Sequence, residues 1–337
     1  MKLLQTEAVG FPWQMEGYRV VGKAQFRKNA YADACETWEA VHDDALDDLE
    51  ANLWLGTIYQ RLGKLADSDL VLRRVVENSA TTPWRQAEVY ALMGRNDKER
   101  WKAAWETVAA AQRQEEALRS PFLAESYTNY LLGFQQDLNH YYSGINALSL
   151  LVTQIALADA SPEVWNENFQ DSEEGVRQLA RRKDELVKLR GSVAMSLEAA
   201  EARRQRAGKD DVWLGITLAD LACLTSGSPA FVASQYRKAL ASAHDVDREA
   251  VFRQLTLYKQ LAVMPANVAA ALQVVSSWQS KPPHTLLFTG DRLDAPGRAA
   301  SRFPANKVAE ARQAIKDAIC REVARVQKPV VGIAGGR

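Results

Sequence analysis

The residues with usable chemistry gather near the middle of the chain. Tyr127, Tyr130 and Phe134 recur at spacings of three and four, the repeat of one helical face. Tyr141, Tyr142 and Asn146 follow, with Asn146 one helical turn beyond Tyr142. Aromatic rings can stack on a base, and the Asn146 amide offers both donor and acceptor groups. Gly144 lets a backbone or a ligand come close near a helix start. Upstream, Arg95, Lys98 and Arg100 are placed to contact phosphate, with Trp101 one turn past Lys98. The candidate ligand-binding set is therefore Arg95, Lys98, Trp101, Tyr130, Phe134, Tyr142, Gly144 and Asn146. The same spacings also describe packing, with Tyr127, Tyr130 and Phe134 as the core of a helical array and Asn146 as a cap or loop tie.

Other chemistry finds little to stand on. His42, His140, His244 and His284 are scattered, and neither an HExxH pattern nor a cysteine cluster occurs, so no metal site and no cofactor are expected. There is no GxSxG elbow, and Ser226-Gly-Ser228 reads as a turn between helices. His42-Asp43-Asp44 reads as a solvated helix end rather than an acid/base pair. The basic runs Arg181-Arg182-Lys183 and Arg203-Arg204-x-Arg206 alternate with Asp184, Glu185, Glu198 and Glu201, which suits a solvated helix face. No catalytic residue is assigned, and the chain is read as a non-enzyme.

These residues must be positioned by something large. The chain has 337 residues, with 42 basic and 42 acidic side chains and no formal net charge. That balance lacks the basic footprint of a nucleic-acid binder. No stretch approaches the roughly 18 uninterrupted apolar residues of a membrane helix, and the start lacks a signal-peptide pattern. Cys35, Cys223 and Cys320 lie far apart, as suits free thiols in a cytoplasmic protein. Nine tryptophans are assigned mainly to helix packing.

Residues 1–280 read as a helical array. Tyr18, Gly22, Ala34, Trp38 and Val41 are answered 34 residues later by Asn52, Gly56, Ser68, Leu72 and Val75. This is the tetratricopeptide spacing, with small residues where two helices touch and large ones filling the neighbouring holes. Further pairs are expected: Pro83 to Met93 with Asn96 to Leu118, Pro121 to Asn139 with Tyr142 to Ala158, Trp213 to Leu224 with Pro229 to Ala243, and Arg248 to Val263 with Ala266 to Trp278. Residues Ser161 to Asp171 read as a loop, and Ser172 to about Arg206 as one long charged helix. After Lys281-Pro282-Pro283 the pattern changes. Strands at His284–Gly290 and Pro329–Gly336, flanking a helix near Ala305 to Val326, would make a βαβ segment over 281–337. That segment reads as the incomplete start of an α/β unit, its Gly332, Gly335 and Gly336 suited to a phosphate only if a helix followed. The fold class is mainly α: an α-solenoid with a short C-terminal α/β segment.

Several motifs resemble one family. Gly133-Phe134-x-x-Asp137, then Tyr142-Ser-Gly144-Ile145-Asn146-Ala147-Leu148, is similar to the hallmark of the tetratricopeptide-repeat sensor region, also called the kinase-kinase-kinase TRAF-binding domain. Gly94-Arg95 ahead of Trp101 and Trp105, Asp211-Val-Trp213, and the Leu287-Phe-Thr-Gly290 to Arg302-Phe-Pro304 stretch also fit its bacterial members, although Asp291 stands where relatives commonly place His. The resemblance spans about residues 20–337. It implies a non-catalytic sensor or scaffold in a bacterial signalling or defence system. Such a protein would bind a nucleotide-type signal, NAD-derived ones included, and control an effector domain or protein partner. Two alternatives stand beside it: an interaction adaptor without a small ligand, and the regulatory part of an enzyme whose active domain lies beyond the C-terminus. No nucleic-acid or membrane partner is expected, and a homo-oligomer is compatible with the reading.

Overall fold

The computed structural model of the chain describes residues 6–7, 9–278 and 305–324. By internal contacts the chain divides into two units, Met1–Gln279 and Ser280–Arg337.

The first unit opens with two helix pairs, α1 (Gln14–Arg27) with α2 (Tyr31–Asp44), and α3 (Leu49–Arg61) with α4 (Leu65–Glu77). Each pair touches at a glycine: a Cβ on Gly22 would lie 2.5 Å from the Trp38 ring, and one on Gly56 would lie 2.5 Å from Leu72. The large residue of one helix thus occupies the volume that the glycine of the other leaves empty. All ten residues of the 34-residue correspondence are buried.

The third pair differs from expectation. Pro83–Trp105 is one continuous helix, α5, where a break near Gly94 was expected. Its partner is α7 (Pro121–Gln136), with the short α6 (Arg113–Arg119) inserted between them. Gly94 meets the Tyr130 ring as Gly56 meets Leu72. The Ser126 hydroxyl donates to the Gly94 carbonyl at 2.7 Å, as Ser68 donates to Gly56 at 2.7 Å. A glycine inside a helix reads in sequence as a break, but here it is the contact point that lets α7 approach.

Next come α8 (Tyr141–Ala160), the five-residue α9 (Pro162–Asn166) and α10 (Ser172–Ala207). The expected loop over 161–171 therefore contains a helical turn, held because buried Trp165 donates its Nε1–H to the Gly175 carbonyl at 2.8 Å. Then α11 (Val212–Thr225), α12 (Pro229–Leu240), α13 (Asp245–Gln260) and α14 (Pro265–Trp278) complete the unit. Starts are marked locally: Asp48, Asp171, Asp211 and Ser228 accept from backbone N–H groups, and Pro83, Pro121, Pro162 and Pro229 occupy first turns. Gly208, with φ of +62°, ends α10 in the left-handed region.

Apolar residues of α5 to α14 form one continuous core, α1 to α4 have a second, and Leu72 and Val75 of α4 form a third, smaller cluster with Val89 of α5. Helix α8 is its axis, packed by α7, α10 and α11. By length and composition alone α8 could cross a membrane, but 78% of its apolar window is buried inside the protein, as in a core helix.

In the second unit, α15 (Val308–Ala324) follows a 3-10 turn at Ala305–Lys307 and lies inside the helix expected there. No strand occurs among the described residues, so the βαβ reading finds no support. Its two expected strands lie outside the described residues.

Candidate functional site

The expected residues separate into two groups. Trp101, Tyr130, Phe134 and Gly144 sit in packing. Trp101 is fully buried and donates its Nε1–H to the Ala117 carbonyl at 2.8 Å, which fastens α6 to α5. Tyr130 is 1% exposed, with its ring on Gly94. Phe134 and Val193 close on Gly144, where a Cβ would meet both at 3.0 Å, so α7, α8 and α10 converge there and no room remains for a ligand. The space expected beside Gly144 is filled because a glycine on a core helix admits neighbouring side chains.

Arg95, Lys98, Tyr142 and Asn146 form the second group. Arg95 and Lys98 are three apart on α5 and share its face. The half-buried Lys98 donates from Nζ to Asn146 Oδ1 at 3.3 Å and to Gln254 Oε1 of α13 at 2.9 Å. Asn146 uses its amide hydrogen on the Tyr142 carbonyl, at 2.9 Å. Tyr142 is 46% exposed, with its ring edge-on to Tyr130 at 6.1 Å. The array therefore curls until α13 reaches α5. A second link stands beside it, from Gln114 Nε2 to the Leu261 carbonyl at 3.0 Å.

Electrostatics at this junction are unusual. Burial pushes the Lys98 ammonium down to about 8, with Glu99 and Asp220 pulling upward and Lys102 and Arg95 downward. Burial lifts the Asp220 carboxyl of α11 to about 6, against the Tyr236 hydroxyl that donates to it at 2.5 Å and the charge of Lys98. Arg61, at the end of α3, is pushed down by burial and then by Arg95, with Arg253 of α13 adding to the effect and Tyr31 and Tyr142 opposing it. Sequence reasoning did not find Arg61, Arg253, Gln254 or Asp220. Their only sequence signal is charge or polarity on helices far apart in the chain.

Arg100, expected beside Arg95 and Lys98, faces elsewhere. It is tied to Asp69 at 2.5 Å and Asp97 at 2.8 Å, and stacks on Phe122 at 5.7 Å. Five residues along a helix carry it well over a quarter-turn from Arg95. It lines a groove of about 610 Å³ between α4, α5 and α7, with Arg73, Met93, Glu125 and Asn129. None of the eight residues of the candidate ligand-binding set lines that groove, and Arg100 there is already paired with Asp69 and Asp97. At the junction, by contrast, Arg95 forms no hydrogen bond or ion pair among the described residues. Among the described residues, no group of three or more His, Cys, Asp and Glu side chains could hold a metal. The Cys35 and Cys223 thiols are buried, and burial pushes each up to about 12, far from a reactive thiolate.

A comparison with curated proteins finds no match. A family model does match: residues 30–151 fit the family described as Tetratricopeptide Repeats-Sensor. That segment runs from α2 into α8 and holds Arg61, Arg95, Lys98, Tyr142 and Asn146. Over residues 30–151, about a third of its length, the chain is thus similar to the tetratricopeptide-repeat sensor family.

Proposed function

We propose that this chain is a non-catalytic sensor and scaffold whose helical array binds a nucleotide-type signal at the Lys98 junction. Bound ligand would alter the state presented to an effector. One observation carries the reading: Arg95 forms no hydrogen bond or ion pair among the described residues, although it stands one turn from the half-buried Lys98. A cation left without a counter-ion near a second, partly desolvated one attracts an anion. The half-exposed Tyr142 ring offers a stacking surface, and Asn146 a polar edge. Regulation requires only that the ligand prefer one curvature of the array over another.

Calorimetry with NAD, ADP-ribose and cyclic nucleotides tests this, on wild type and Arg95→Ala. Saturable binding of at least one, weakened in the variant while the melting temperature holds, supports the reading. No heat from any of them sinks the nucleotide version.

A protein-binding adaptor is the second reading, favoured by the open groove of about 610 Å³ between α4, α5 and α7. A stoichiometric partner lost on Phe122→Ala but kept on Arg95→Ala would favour it.

A further inference from the structure

Hydrogen bonds from one face of α13 join that helix to the first half of the array. Gln254, Tyr258 and the C-cap residue Leu261 stand four and three residues apart, the spacing of a helical stripe. Gln254 accepts from Lys98 of α5 at 2.9 Å, Tyr258 shares a 2.6 Å bond with Ser149 of α8, and the Leu261 carbonyl accepts from Gln114 of α6 at 3.0 Å. These links differ in reach and in kind. Ser149, Tyr258 and Leu261 are buried, whereas Lys98 and Gln254 are half-buried and meet solvent. Of the three, the Lys98 link alone has a charged donor, and an anion competes for an ammonium better than a neutral amide oxygen does. A solvent-borne anion can therefore reach and break the Lys98–Gln254 bond while the other two hold.

Beyond Leu261 the chain turns sharply. Ala262 and Met264 hold φ of +55° and +44°, a region that strains any residue with a Cβ. After the turn α14 is fastened: the Asn267 side-chain amide donates to the Cys223 and Ser226 carbonyls at the end of α11, each at 2.8 Å. A short strained connection between a latched helix and a fastened one is where a change of angle is absorbed.

We propose that the Lys98–Gln254 bond is a latch opened by the ligand. An anion that takes the Lys98 ammonium releases Gln254, and the first turns of α13 tilt about the Tyr258 and Leu261 links, with Ala262–Met264 as the hinge. The inference rests on the Lys98 junction being the ligand site, and it adds how occupancy of that site is transmitted. Gln254 lies outside the segment 30–151 that matches the family model, so the signal leaves that segment through α13. The ligand then prefers the open latch, which is the differential affinity that any such switch requires.

Hydrogen exchange read by mass spectrometry tests the latch on the full chain, alone and with ADP-ribose or inorganic pyrophosphate. Without ligand, Gln254→Ala and Lys98→Met should each raise exchange in residues 245–257 about tenfold, the size of one charge-assisted bond. The double variant should go no further, because both changes break the same bond. Either single variant suffices should the other fold poorly. Lys259→Ala, on another face of the same helix, should match wild type. Either anion should raise wild-type exchange in 245–257 toward the Gln254→Ala level, leaving α14 unchanged and Lys98→Met unresponsive. Calorimetry adds a sign by reciprocity: an anion that must displace Gln254 should bind Gln254→Ala about tenfold more tightly than wild type.

Unchanged exchange in both single variants, an equal rise in α14, slower exchange in α13 on binding, or weaker anion binding by Gln254→Ala would overturn the latch. Binding and release by pyrophosphate but not by ADP-ribose keep the latch and remove the nucleotide reading. ADP-ribose binding that leaves α13 exchange unchanged keeps that reading and removes the latch. Binding of neither anion removes both.

Discussion

The Lys98 ammonium in α5 donates to the Gln254 side chain in α13 at 2.9 Å, although 156 positions separate them in the chain. That bond sets α13 beside α5. It also holds an ammonium away from water next to Asn146 and near Asp220, which makes the junction sensitive to pH.

Lys98 gives the first prediction. Its value is lowered to about 8 by burial, with Glu99 and Asp220 opposing and Lys102 and Arg95 assisting. The ammonium therefore loses its proton, and its positive charge, as pH rises through about 8. Anion affinity at the junction should fall across that range, and Lys98→Gln should start weaker and show no such step. Binding isotherms for ADP-ribose or pyrophosphate between pH 7 and 9 check this, roughly one unit either side of the midpoint.

Asp220 gives the second. Its folded value of about 6 lies above the ordinary 3.8, because burial disfavours the carboxylate. The native state thus holds a proton that the unfolded chain has released. The resulting stability is complete below 3.8 and lost as pH rises through about 6. Asp220→Asn should flatten that part of the stability profile. Urea midpoints at a series of pH values decide it, and an unchanged slope would count against the assignment.

Two glycines should respond with opposite sign. A Cβ at Gly94 would meet the Tyr130 ring at 2.8 Å, whereas a Cβ at Gly191 on exposed α10 meets nothing within 4 Å. Gly94→Ala should destabilise by about 1–3 kcal/mol through overpacking. Gly191→Ala should stabilise by roughly 0.5–1 kcal/mol through helix propensity. Chemical denaturation of both variants measures the two signs.

Trp101 separates structure from binding. Its Nε1–H holds the Ala117 carbonyl at 2.8 Å in a fully buried site. Trp101→Phe leaves that carbonyl unpaired and should cost about 1–3 kcal/mol, with little change in ligand affinity for the folded fraction. A loss of affinity at unchanged stability would return Trp101 to the ligand site.

Much of the fold was legible because repeat packing is local. Gly22 with Trp38 and Gly56 with Leu72 recur at a fixed spacing, since each helix pair must solve the same contact with few residues. The third pair was misread where α6 intervenes, because the insertion moves Tyr130 out of phase with Gly94 while the contact itself stays the same.

The site was legible only in part. The sequence by itself placed Arg95, Lys98, Tyr142 and Asn146 as candidates, because their types and helical spacing are local properties. Only the tertiary structure decided that Tyr130, Phe134 and Gly144 are consumed in packing, that Arg100 is paired away on another face, and that Gln254 reaches Lys98. The physical reason is the curvature of the array. Small rotations between successive helix pairs accumulate over the chain, and their sum, which no local pattern records, brings α13 back to α5.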